Sequence, residues 1–241
     1  MLDFLISLIS CSRFSIFWVA LLNFSSNDYL GLSQNNIIKR DTIKIIKKYG
    51  IGSGSSRLVS GNFDFHEKIE SDLAKKKKSE AAIIFSTGYL ANYSILSTIF
   101  SSNIFKKNPI VFSDRLNHQC IYEGCKNKKI NFFRFRHNDM NHLEYLLKKN
   151  KFKKNPKFIL SESVFSMDGD FADIAGLVNL KKKYNSFLFL DEAHATGIYG
   201  DNGFGLSTKF SNDIDCVTGT FSKAFGSFGA YVSCSKNLKS F

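Results

Sequence analysis

Apolar residues along the chain follow two rhythms. Between Asn36 and Tyr49, Ile37, Ile38, Ile43, Ile45 and Ile46 recur at helical rather than alternating spacing, and Gly50 closes the segment. Phe65, Ile69 and Leu73 then recur every four residues, predicting a second helix that runs into Lys75–Lys78. Beyond it, short apolar runs at Ala81–Ser86, Ile110–Ser113, Asn131–Phe135, Phe158–Ser161, Phe187–Asp191 and Cys216–Thr220 predict strands. Helices are expected over 89–100, 117–126, 139–149 and 174–184, with Asp139 and Asp173 placed to cap the last two. Strands apolar on both faces and separated by helices predict an α/β fold with a mostly parallel sheet.

Met1 to Leu22 stands apart as an atypical apolar segment broken by Asp3 and Arg13. It is short of the roughly 20 uncharged residues of a spanning helix. It also lacks the basic start and small-residue cleavage site of a secretory signal. A membrane-surface anchor is the lesser reading, so the chain divides into residues 1–22 and one large domain over 23–241. With 241 residues, 44% hydrophobic and only two prolines, disorder, collagen-like repeats and a disulfide scaffold are excluded. Five cysteines, an odd number without C-x-x-C spacing, predict a reduced, cytoplasmic interior and no metal centre.

The net charge of +12 raises nucleic acid as a partner. The excess is mostly lysine, gathered in Lys75–Lys78, Lys126–Lys129 and Lys148–Lys154, where aromatic residues do not interleave as a stacking groove requires, Phe152 being the single one. Solvated helix ends are the expected reading, and no nucleic acid is expected.

In open α/β sheets ligands sit beyond the carboxyl ends of the strands, so the residues after each apolar run carry the chemistry. Thr87-Gly88-Tyr89 places a glycine where a strand turns into a helix, a setting suited to phosphate. Asp114-Arg-Leu-Asn-His118 offers a flat ring that can stack. The run from Glu162 to Asp170 is dense in polar residues but lacks the ligand spacing of a calcium loop. Asp191-Glu-Ala-His194 ends a buried strand with a carboxylate, which demands a donor or cation. Its four letters match a helicase box, but no Gly-Lys dipeptide exists to form the required phosphate loop. Thr220-Phe-Ser-Lys223 sets one lysine beyond a buried strand, where desolvation favours the nucleophilic amine. A lysine, a carboxylate, a stacking ring and a phosphate cradle together meet the needs of pyridoxal phosphate (PLP).

The stretches Asn23–Leu32, Gly50–Gly61, Asp114–His118, Val164–Asp170, Asp191–Gly197 and Thr220–Lys223, in this order, resemble the α-oxoamine synthases. The resemblance runs from Asn23 to about Ser235 and implies the large domain of the aspartate-aminotransferase fold. It also implies roles. Lys223 would hold the cofactor and shuttle the Cα proton; Asp191 would pair with the ring nitrogen. His194 would bond the ring hydroxyl oxygen and His118 would stack on the ring. Gly88, Tyr89 and Thr220 would bind near the phosphate, Ser166 would line the cofactor pocket, and Asn27 would face the amino-acid carboxylate. The branch it leans towards condenses L-alanine with a pimeloyl thioester, on CoA or an acyl carrier protein, as a homodimer in biotin biosynthesis; sister enzymes use glycine or serine. Members of the family are about half as long again, with an N-terminal arm and a C-terminal small domain. The expectation is therefore an incomplete chain and a poor catalyst by itself.

Overall fold

The computed structural model describes residues 23–101, 105–126, 130–151 and 154–241. The apolar segment 1–22, with Cys11, and parts of the two later lysine runs lie outside the described residues. Seven strands form one sheet: β1 (Ala81–Phe85), β2 (Ile110–Asp114), β3 (Asn131–Phe135), β4 (Lys157–Glu162), β5 (Phe187–Asp191), β6 (Cys216–Thr220) and β7 (Ala230–Cys234). The main helices are α1 (Asn36–Tyr49), α2 (Asp64–Lys77), α3 (Gly88–Ser101), α4 (Gln119–Gly124), α5 (Met140–Lys149), α6 (Ile174–Tyr184) and α7 (Lys236–Ser240).

The strand order is β1-β7-β6-β5-β4-β2-β3, and every strand except β7 points the same way. Burial explains why the runs are continuously apolar. Along β4, Phe158 and Leu160 join a core with Ile95, Leu96 and Ile99 of α3 and Ile121 of α4. Ile159, between them, faces Leu143 and Leu147 of α5 and Leu177 of α6. A strand covered by helices on both sides shows no polar alternation. The two predicted caps are in place: Asp139 accepts from the His142 amide at 2.8 Å and Asp173 from the Gly176 amide at 2.8 Å.

Two features depart from expectation. Strand β7 was not anticipated; it inserts antiparallel between β1 and β6, so the sheet is mixed. Only the loop 221–229 joins β6 to β7, without the helix that announces each parallel strand. The lysine run 75–78 is also not uniformly solvated. Lys77 is fully buried and ion-paired to the equally buried Glu192, and its Nζ donates to Phe204 O at 2.7 Å and Ser207 Oγ at 2.8 Å.

Because β7 alone is reversed, the carboxyl ends of the other strands lie along one edge of the sheet. There, β1 delivers Gly88, β2 His118, β4 Glu162, β5 Asp191 and β6 Lys223. Two glycines bring further segments onto this edge. Gly197, at φ +92°, lies where an added Cβ would stand 2.5 Å from Ala224 Cβ, beside Lys223. Gly226, at φ +57°, approaches Ser33, whose amide nitrogen would meet such a carbon at 2.2 Å.

Candidate active site

A cavity of about 230 Å3 opens at that edge, lined among others by Gly88, Tyr89, His118, Asp191, His194, Thr220 and Lys223. Seven of the nine residues singled out from the sequence therefore share one pocket. Ser166 does not: it lies in an exposed turn after β4 and is not among the lining residues. Asn27 is also outside the lining, but Tyr29 connects it to the site. A larger hollow, of about 320 Å3, opens at the opposite ends of the strands around Lys78, Glu80, Asn212 and Asp215. It contains none of those nine residues.

The Asp191 carboxylate closes one side of the pocket and is only 5% exposed. Its Oδ2 accepts from Asn92 Nδ2 at 2.5 Å, and its Oδ1 from the Ala193 amide at 2.8 Å. Among the described residues no Lys, Arg or His forms an ion pair with it. Asn92 is a polar residue among the buried apolar positions of α3, and both its amide nitrogen and its oxygen are engaged. It also donates to Cys120 Sγ at 3.1 Å and accepts from Thr218 Oγ1 at 2.7 Å. Its reach to Asp191 crosses 99 positions, which local pattern does not span.

Lys223 Nζ lies 2.5 Å from His194 Nε2. Burial holds the Lys223 ammonium below its ordinary pKa, against the pull of Asp191, Glu162 and Cys120. His194 is pushed down to about 4 by burial, by Lys223 and by His118, so it is neutral at neutral pH. Glu162, opposite Asp191 in the β4–β5 register, is pushed up to about 8 by burial and then by Asp191. It accepts from the His118 backbone amide. His118 caps α4, its Nδ1 accepting from the Cys120 amide at 3.2 Å and lying 2.9 Å from Cys120 Sγ. Burial raises the Cys120 thiol to about 12, so it stays protonated. The four described cysteines are free and buried.

At the far wall, Thr87 caps α3, its Oγ1 accepting from the Leu90 amide at 3.1 Å. The Gly88 and Tyr89 amides open that fourteen-residue helix. Facing them, Thr220 Oγ1 lies 2.8 Å from Ser222 Oγ and donates to Gly229 O at 3.0 Å. A helix start with two hydroxyls in front of it is a setting for an anion.

A titratable bridge stiffens the neighbouring loop. His137 lies with Nδ1 2.9 Å from Asp114 and Nε2 2.8 Å from Asp170, so both ring nitrogens face carboxylates. Asp168 brings a third ligand-type residue, and these atoms of His137, Asp168 and Asp170 lie within 4.8 Å of one another. Burial lowers the His137 pKa, but the two carboxylates outweigh it and the net shift is upward. The stability this adds is complete below the unfolded value of about 6.5 and is lost as pH rises through the higher folded value. The urea midpoint of the parent should exceed that of His137→Gln at pH 6, and the gap should narrow by pH 9. A pH-independent gap contradicts the bridge.

Comparisons with known proteins bear on the family and the fold. Residues 19–241 match the family model "Aminotransferase class I and II". An 8-amino-7-oxononanoate synthase of Gluconacetobacter diazotrophicus is 46% identical over 219 residues, covering 90% of this chain and 55% of that protein. The chain thus spans about half the length of the curated relatives it matches. A serine palmitoyltransferase from S. paucimobilis, solved with bound PLP and myriocin, superposes with TM-score 0.80 at 32% identity, over 89% of this chain and 55% of that one. An 8-amino-7-oxononanoate synthase from Francisella tularensis gives TM-score 0.74 at 28% identity, over 92% and 60%. With the matched fold, these likenesses show that the chain belongs to the aminotransferase class I and II family, among its α-oxoamine synthases.

Proposed function

We propose that the chain is the PLP-binding part of an acyltransferase that condenses L-alanine with a pimeloyl thioester, releasing carbon dioxide and 8-amino-7-oxononanoate. The observation that carries this is the buried Asp191 carboxylate, which has amide donors but, among the described residues, no cation paired with it. A buried charge without a counter-charge is costly, and a protonated ring nitrogen supplies one. The rest of the pocket fits the same group, with an amine at Lys223, an anion setting at Gly88, Tyr89, Thr220 and Ser222, and a flat ring at His118. Ser222, Asn92 and Tyr29 were not singled out from the sequence.

When bound, PLP supplies an aldehyde for amines and a ring that accepts the electron pair left by breaking a bond at Cα. The chain's own groups then divide the work. Burial disfavours the Lys223 ammonium and so favours the amine form that would hold the cofactor and carry a proton from Cα. Asp191 would keep the ring nitrogen charged. His118 would cover one face, and neutral His194 would accept a hydrogen bond beside Lys223. Asn27 is exposed in the segment bonded to His194 through Tyr29, and its amide is offered to the amino-acid carboxylate. The proposed large domain over 23–241 would pair with a second copy. Every isoleucine of α1 that the pattern singled out is exposed, from 42% at Ile38 and Ile46 to 62% at Ile37, so such an assembly has apolar surface to cover.

Serine remains the competing amino acid because the serine palmitoyltransferase superposes with TM-score 0.80, against 0.74 for the Francisella tularensis 8-amino-7-oxononanoate synthase. The PLP-loaded chain in D2O should exchange the Cα proton of L-alanine faster than that of L-serine or glycine. Addition of pimeloyl-CoA and the C-terminal half of a relative should yield 8-amino-7-oxononanoate. Exchange favouring serine would move the reading to the sister reaction, and no exchange with any amino acid would overturn it.

A further inference from the structure

Tyr29 belongs to none of the roles above, yet it touches two of their residues. Its hydroxyl oxygen lies 2.7 Å from His194 Nδ1, across 165 positions of sequence, and 3.0 Å from Asn27 Oδ1. The segment that carries it is tied to the Lys223 loop. Asp28 closes the local turn by accepting from Ser33 Oγ at 2.5 Å, and Ser33 is the residue that Gly226 approaches. Tyr29, His194 and Lys223 thus belong to one continuous packing unit.

From this geometry we propose that Tyr29 is a positioning residue that fixes the tautomer of His194 and, through Asn27, aligns the amino-acid end of the site with Lys223. A phenol has one hydrogen to give, and an amide oxygen can only accept. The Tyr29 hydrogen therefore goes to Asn27 Oδ1, and the phenol oxygen must receive one from His194. The His194 proton accordingly sits on Nδ1. Nε2 then presents its lone pair to Lys223 Nζ, 2.5 Å away, and accepts whatever N–H or O–H occupies that position. Burial, Lys223 and His118 all favour the neutral imidazole, so a single proton is being placed. With Oδ1 of Asn27 engaged, its two N–H donors are left for an anion. One hydroxyl thereby orients an acceptor towards the lysine and a donor pair towards a carboxylate. The carboxylate half of this statement rests on the amino-acid reading above; the tautomer does not.

The test needs no cofactor. In chain labelled with 15N-histidine, long-range 15N–1H correlation spectra distinguish a protonated Nδ1 from a protonated Nε2, and His194→Gln assigns the signal. The parent should show His194 protonated on Nδ1. Tyr29→Phe removes only the oxygen and should move the proton predominantly to Nε2, with the His118 and His137 signals unchanged. Two substitutions keep the phenol and separate orientation from packing. Asn27→Asp still accepts from Tyr29, so the Nδ1 proton should remain. Asn27→Ala frees the phenol hydrogen to donate to Nδ1, so the imidazole proton should shift to Nε2. A parent protonated on Nε2, or a tautomer indifferent to both Tyr29→Phe and Asn27→Ala, would overturn the proposal. Since the spectra are taken without PLP, that failure is distinct from a failure to bind or process an amino acid.

Discussion

Lys77→Met is expected to destabilise the chain by about 3–5 kcal/mol, the cost of leaving a buried charge without its partner. Both members of the Lys77–Glu192 pair are fully buried, and Glu192 also accepts from Ser207 N at 2.8 Å and Ser207 Oγ at 2.7 Å. Burial alone drives the Lys77 ammonium downward, and Glu192 is the main force opposing it. Methionine matches the stem in volume and removes the charge, stranding the Glu192 carboxylate. The loss should appear as a lower urea midpoint with an unchanged slope. Adding Glu192→Gln should recover part of it, because the stranded charge is then gone. The pair also reaches the site: Glu192 follows Asp191 directly, so one residue faces the pocket while the next is pinned from behind to α2. A single variant as stable as the parent would show that the pair does not anchor this strand end.

Asp191→Asn should slow Cα-proton exchange from L-alanine by on the order of 10²–10³-fold, the range for removing one preorganised electrostatic contact. The fold should survive. Asparagine retains one acceptor oxygen for either Asn92 Nδ2 or the Ala193 amide, so one of those two donors loses its partner. Such a loss costs about 1–3 kcal/mol. What the amide cannot do is carry the negative charge that keeps a ring nitrogen protonated. Exchange at the parent rate, in a variant with native circular dichroism, would remove Asp191 from that role.

The alternation of apolar runs and helical spacing carried most of the fold, because six strands are either buried on both faces or set between helices. Strand β7 escaped because a loop of nine residues, rather than a helix, precedes it, and because Tyr231 and Ser233 interrupt its apolar character. The site was legible wherever function and strand end coincide, as at His118, Asp191, His194 and Lys223. It was not legible where a residue acts across the fold. Asn92 looks like a stray polar group in an apolar helix until Asp191 and Thr218 are seen against it. Tyr29 stands in the stretch Asn23–Leu32, but its partner lies 165 positions away, beyond any local pattern. Lys77 is one of four consecutive lysines, and only packing tells which of them turns inward. Ser166, expected in the pocket from the resemblance, sits instead in the exposed turn between Val164 and Phe171, which pair as a short bridge.

The central proposal is that Lys223 is the amine to which PLP attaches: among the described residues it is the lysine that lines the pocket of Asp191 and His118, and burial lowers its pKa. Borohydride reduction of the PLP-loaded chain, followed by peptide mapping, tests it directly. The account predicts a single stable label on Lys223, absent when Lys223→Ala is treated in the same way. Label confined to the exposed lysines, with Lys223 unmodified, would contradict it.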